Sequence, residues 1–199
     1  IPQLTKGPLS REFEELWSEW LNTSHSVFVN SGSSANLLMI DALKESGRLK
    51  SNNIIVPAVS WSTTVAPVIQ LGLNPVLCDA DPKNLGLNLD HLKEILSTQD
   101  IGAIVIVHVL GVPNHMAEIM ELCEKYDVIL LEDCCESHGS EYQGSKVGTF
   151  GLMSTFSFFY GHHISTIEGG MISTSDEEMH ELLILKRAHG WVRDLPEEA

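Results

Sequence analysis

Residues able to do chemistry fall into four groups in this 199-residue chain. The first is a turn of small residues, Asn30-Ser31-Gly32-Ser33-Ser34-Ala35, followed by an apolar helical pattern. Small residues let backbone N–H groups approach an anion, and the positive end of a helix favours a phosphate there. An ordinary helix cap has the same composition. The second is Asp133, which follows four apolar residues and Glu132. A carboxylate at a strand end can pair with a protonated ring nitrogen; it can equally cap a helix or sit in a salt bridge. The third is the adjacent pair His162 and His163, between Phe158-Phe159-Tyr160 and the turn Glu168-Gly169-Gly170. Histidine moves protons in both directions near neutral pH, as a general acid–base must. A hydrogen-bonded structural imidazole is the plain alternative. On an extended backbone neighbouring side chains face opposite ways, so at most one of the two should enter a given pocket. The fourth comprises Trp61, which can stack on a planar ring or fill a core, and Ser157, which can donate to a phosphate or close a strand. No spacing among His108, His115 and Cys135 supports a metal site, and none is expected.

The elements that must position these residues are legible as alternating patterns. Ser10 can cap a helix through about Leu21, with Phe13, Leu16, Trp17 and Trp20 on one face. A second helix should follow Ser33 or Ser34, run to about Leu43 and end near Gly47. Ile54 to Val56, Pro75 to Cys78, Ala103 to Val109 and Val128 to Leu131 read as strands. The last closes at Glu132-Asp133. Helical patterns lie between them at 63–71, 90–97 and 115–126. The stretch from Ser157 to Gly170 reads as a strand, a polar hinge and a return strand. Continuous apolar strands separated by helices imply an α/β domain with a mostly parallel sheet covered on both faces. Ligands gather at the carboxyl ends of such strands. Asp79, His108 and Asp133 fall at those ends.

Composition narrows the partners. The formal charge of −15 and a pI near 4.8 argue against nucleic acid or an acidic membrane surface. No apolar run of about 18 residues occurs, nor a basic start before a short apolar core, so no membrane span or signal peptide is expected. Cys78, Cys123, Cys134 and Cys135 show no paired metal spacing and are expected as reduced thiols in a cytoplasmic protein. Beginning at Ile1 and ending at Ala199 after Pro-Glu-Glu, the chain reads as a fragment.

Taken together, these segments resemble the pyridoxal-phosphate (PLP)-dependent DegT/DnrJ/EryC1/StrS sugar aminotransferase family. The matching stretches are VNSGSSANLL at 29–38, IIVPAVSW at 54–61, NPVLCDADP at 74–82 and VHVLGVP at 107–113. They continue with LLEDCCESHGSEYQGSKVGTFG at 130–151 and STFSFFYGHHISTIEGGMIST at 154–174. The resemblance implies an aspartate-aminotransferase-like (fold type I) large domain over residues 1–199, with the family's smaller C-terminal domain absent. It also implies that Gly32, Ser33 and Ser34 hold the cofactor phosphate with help from Ser157. By the same resemblance Trp61 stacks on the pyridine ring, Asp133 pairs with its nitrogen and Glu136 lies near the ring's polar edge.

Typical members carry, where this chain has His162, the lysine that tethers the cofactor. Lys146 and Lys186 lie in other segments and do not replace it. That change is characteristic of a dehydratase branch of the family that makes 3,6-dideoxysugars of the colitose type. One kind works on a CDP-linked sugar with an iron–sulfur cluster and a reductase. The other has no cluster, acts on a GDP-linked 4-keto-6-deoxyhexose, and uses glutamate to convert PLP to pyridoxamine 5'-phosphate (PMP). The cluster-bearing kind pairs a cysteine at the position of Cys135 with a downstream Cys-x-Cys, where this chain has Arg193 and Leu195. The cluster-free reading follows, with His162 as base and Arg193 as a candidate for the nucleotide-sugar. A homodimer with its site at the subunit interface is implied as well. A catalytically silent PLP-binding homologue is the reading from another class.

Overall fold

The computed structural model describes residues 6–192. The chain opens with α1 (Pro8–Leu21), β1 (His25–Val29) and α2 (Gly32–Glu45). Three strand–helix units follow: β2 (Asn53–Pro57) with α3 (Ser62–Gln70), β3 (Asn74–Cys78) with α4 (Leu89–Thr98), and β4 (Ala103–Val107) with α5 (Met116–Tyr126). Next come β5 (Ile129–Asp133), the short hairpin of β6 (Glu141–Tyr142) and β7 (Ser145–Lys146), and β8 (Met153–Ser157). β9 (Gly170–Thr174) and α6 (Glu177–Arg187) follow.

Seven strands form one sheet in the order β1-β9-β8-β5-β4-β2-β3. Pairing is parallel from β8 through β5, β4 and β2 to β3. β9 is antiparallel to both β8 and β1, because the loop from Phe158 to Gly169 returns the chain directly instead of crossing over through a helix.

The strands are apolar because both sheet faces are covered. Along β2, Ile54 and Val56 join one core cluster with Met39 and Leu43 of α2, whereas Ile55 joins another with Leu92 and Ile95 of α4. β4 alternates in the same way, Val105 to the first cluster and Ile104 and Ile106 to the second. A third cluster pins α1 to the sheet through Trp17, Leu21, Phe156 and Phe158. Each fully buried side chain of this kind contributes roughly 1.5–3 kcal/mol.

Three boundaries differ from expectation, each for a local reason. α1 begins at Pro8 with Gly7 as cap, so Ser10 lies inside the helix; proline's fixed φ suits a first helical position. Of the face assigned to that helix, Trp17 is buried, but Leu16 is 56% exposed. α2 starts at Gly32, earlier than Ser33 or Ser34, because Ser31 is the residue whose side chain caps it. The strand assigned to Ala103 through Val109 stops at Val107, where His108 leaves the extended region and Val109–Gly111 forms a 3-10 turn.

Candidate active site

A cleft of about 630 Å³ opens beyond the carboxyl ends of the parallel strands. α2 supplies its anion-binding end. The Ser31 hydroxyl accepts from Ser34 N at 3.1 Å, and its carbonyl accepts from Ala35 N at 3.0 Å. Gly32 and Ser33 occupy the first turn, whose N–H groups have no carbonyl within their own helix. A Cβ on Gly32 would lie 2.7 Å from Ser157 Cβ and 2.8 Å from Cys135 Sγ. One on Gly170 would lie 2.2 Å from the Ser31 carbonyl oxygen. Glycine at both positions lets β8 and β9 close on the turn and sets Ser157 beside it. Across the cleft, Trp61 caps α3 and is 73% exposed, an open aromatic wall rather than a core residue.

Asp133 closes the floor at the end of β5. Its Oδ2 accepts from Asn36 Nδ2 and from Thr64 Oγ1, each at 2.8 Å, and its Oδ1 accepts from Cys135 N at 3.1 Å. Thr155 Oγ1 in turn donates to Asn36 Oδ1 at 2.6 Å. Burial, with the neighbouring Asp133 charge, holds the Cys135 thiol well above its ordinary pKa, and Cys134 behaves likewise. Both stay protonated. All four cysteines are free. Glu136 Oε2 accepts from Leu110 N at 3.0 Å, tying the turn after β4 to the cleft rim.

His162 sits in the loop after β8, half-buried, with its N–H donating to the Phe159 carbonyl at 3.0 Å. The loop is a series of turns, so the extended geometry assumed for the histidine pair does not hold. Both rings instead lie near His138, with centroids 6.2 Å and 6.1 Å away. Only His162 of the pair lines the cleft. Burial, helped by the two neighbouring histidines, pushes the His138 pKa down to about 4.

Gly32, Ser33, Trp61, Asp133, Glu136, Ser157 and His162 thus line one cleft. Ser34 does not. Its hydroxyl accepts from Ser31 Oγ, and it borders a separate cavity with Phe28 and Leu38. Arg193 lies outside the described residues. Of the other strand-end residues, Asp79 is exposed beside His91, and His108 is fully buried against Glu132. Sequence reasoning missed Asn36, Thr64 and Thr155. Their one local signal is Asn36, an amide among the apolar residues of α2, which needs a buried partner.

A mostly parallel seven-stranded sheet with its cleft at these strand ends is the aspartate-aminotransferase-like fold of PLP enzymes. The chain belongs to the DegT/DnrJ/EryC1/StrS aminotransferase family, whose sequence model matches residues 2–198. It is 46% identical over 196 residues to GDP-4-keto-6-deoxy-D-mannose 3-dehydratase of Yersinia pseudotuberculosis, covering 97% of this chain and 50% of that protein. Two solved structures of GDP-4-keto-6-deoxymannose-3-dehydratase are also similar. A variant with bound GDP-perosamine matches with a TM-score of 0.89 and 46% identity, over 96% of this chain and 50% of that one. A form with a trapped PLP-glutamate geminal diamine matches with a TM-score of 0.89 and 45% identity, over the same shares. The chain spans about half the length of these relatives. No helix among the described residues is long and apolar enough to cross a membrane.

Proposed function

We propose that this chain is the cofactor-binding part of a PLP/PMP-dependent 3-dehydratase. Its substrate is a GDP-linked 4-keto-6-deoxyhexose of the mannose type, and its amino donor is glutamate. The observation that carries this reading is His162 in a cleft that has no lysine among its described lining residues. The similarity to the GDP-4-keto-6-deoxymannose dehydratases supports the cluster-free reading over an iron–sulfur enzyme.

The residues present fit PLP. Gly32 and Ser33 at the α2 end, with Ser157 beside them, suit its phosphate. Trp61 offers a stacking surface, and Asp133 a carboxylate for the ring nitrogen. When bound, the cofactor supplies an electron sink, which requires that nitrogen to stay protonated. Asp133 holds that proton in place by charge and hydrogen bonding. Glu136 limits the polar rim, and the β8–β9 loop brings His162 to the cleft. With the cofactor and sugar bound, His162 would be the group placed to accept a proton as general base and to return one, as general acid, to the departing C3 hydroxyl. An imidazole moves these protons without tethering the cofactor, so elimination competes successfully with amino transfer.

Arg193 is assigned to the nucleotide-sugar. The enzyme is a cytoplasmic homodimer whose partner completes the site. In support, Trp61, Leu110, Tyr160 and Ile167 are large apolar residues left exposed in segments that follow the carboxyl ends of β2, β4 and β8. The test uses the full-length protein with glutamate and GDP-4-keto-6-deoxymannose. Ammonia release in step with loss of the sugar's C3 hydroxyl is expected, and its abolition in His162→Asn. Amino-sugar product without ammonia would replace this reading with transamination; no turnover at all would favour the silent homologue.

A further inference from the structure

Asp133 has four lone-pair positions, and the structure fills three of them from fixed donors. Both positions on Oδ2 are taken, by the Asn36 amide and the Thr64 hydroxyl. Oδ1 holds the Cys135 N–H, and beyond these three fixed donors the carboxylate is met only by the weak thiol of the same residue. Asn36 is itself fixed from behind, since Thr155 donates to its carbonyl oxygen and leaves the amide nitrogen facing Asp133. Asn36, Thr64, Asp133 and Thr155 are all 3% exposed or less. An unmet donor or acceptor here costs about 1–3 kcal/mol, so the chain of bonds sets one orientation. Asn36 also lies one helical turn beyond Gly32, and both line the cleft. One helix therefore carries the anion end at its first turn and the clamp on the carboxylate at its second.

We propose that Asn36 is a positioning residue: backed by Thr155 and joined by Thr64, it occupies Oδ2 of Asp133 and reserves one Oδ1 lone pair for the protonated ring nitrogen of the cofactor. This rests on the PLP reading above and says which residues make Asp133 competent for it. Removing the amide leaves Oδ2 short of a donor and the carboxylate free to turn away. The ring nitrogen then loses its proton at lower pH. The other titratable groups lining the cleft are Cys135, Glu136, His162 and Glu168, of which only the weak Cys135 thiol bonds to Asp133.

The experiment titrates the absorbance of PLP bound to the full-length protein, wild type and variants. Asn36→Leu and Thr155→Val, which cut the same chain at its two ends, should each lower the ring-nitrogen transition by about one pH unit and weaken PLP binding about tenfold. Thr155→Ser keeps the hydroxyl and should titrate as wild type. The double variant should shift no further than Asn36→Leu alone, because both changes break one linkage. If Asn36→Leu does not fold, Thr155→Val carries the same prediction. An unmoved transition in a folded variant of either kind overturns the proposal. A wild-type protein that binds no PLP defeats the functional reading instead, and the two failures are thereby told apart.

Discussion

Glu132 and Asp133 are neighbours on β5, point to opposite sides of the sheet, and have opposite fates. Glu132 is fully buried, and all four of its lone-pair positions are occupied. Oε1 accepts from Phe150 N and Gly151 N, each at 2.7 Å, and Oε2 from Gly148 N at 2.8 Å and His108 Nε2 at 3.0 Å. Asn114 N donates to His108 Nδ1 at 3.2 Å, which fixes the proton on Nε2 and makes His108 a neutral donor. Cys134 lies close enough to complete a three-residue ligand set with this pair, yet a metal there would have to displace those donors. Asp133 lines a cleft, with three positions filled by fixed donors and only the weak Cys135 thiol to meet the fourth. A carboxylate whose four positions are all met by strong donors is a structural tie; one with a position met only by a weak thiol is equipped to bind.

Exchanging each acid for its amide should separate the two roles. Asp133→Asn in the full-length protein should cut turnover on the order of a thousandfold while urea stability falls by only about 1–2 kcal/mol, the cost of one unmet donor. A comparable drop in both quantities would make Asp133 a second structural tie. Glu132→Gln sets an amide N–H₂ against backbone donors in a closed site and should cost about 3 kcal/mol, read from the urea midpoint at constant m-value. A stability change within experimental scatter would contradict the count of donors. Gly32→Ala tests the other end of the cleft. Its Cβ would press on Ser157 and Cys135, and PLP affinity should weaken about tenfold with little change at Glu132.

The smallest effect expected is on the pH dependence of folding. His138 and His180 are both pushed down to about 4, chiefly by burial, with His162 and His25 respectively as the next cause. Between about pH 4 and 6.5 the unfolded chain binds protons at these residues that the folded chain does not, so stability should rise with pH across that window. Allowing for partial exposure, each residue accounts for about 1 kcal/mol. Urea midpoints at pH 5 and pH 7 measure the slope, and His180→Asn should reduce it. An equal slope in that variant would remove His180 from the explanation.

The sheet was legible because its strands are apolar on both faces: Ile54 to Val56 and Ala103 to Val107 carry their burial in their composition. The cleft was legible where one residue type does one job, as at Gly32, Trp61, Asp133 and His162. What escaped is non-local. Asn36 meets Asp133 across 97 positions and Thr155 across 119, and no window of sequence contains those pairings. Ser34 is a residue of the expected type that lies off the cleft, its hydroxyl accepting from Ser31 Oγ beside a separate cavity. Of the two histidines only His162 lines the cleft, as expected, although the loop after β8 turns where an extended strand was assumed.

The most direct test of the account is the mass of the full-length protein after incubation with PLP and borohydride. The wild-type chain should gain no covalent PLP, because an imidazole at His162 forms no Schiff base that borohydride could reduce, whereas His162→Lys should gain one reduced PLP on the new lysine. A wild-type protein bearing reduced PLP on a lysine of its own would contradict the role assigned to His162.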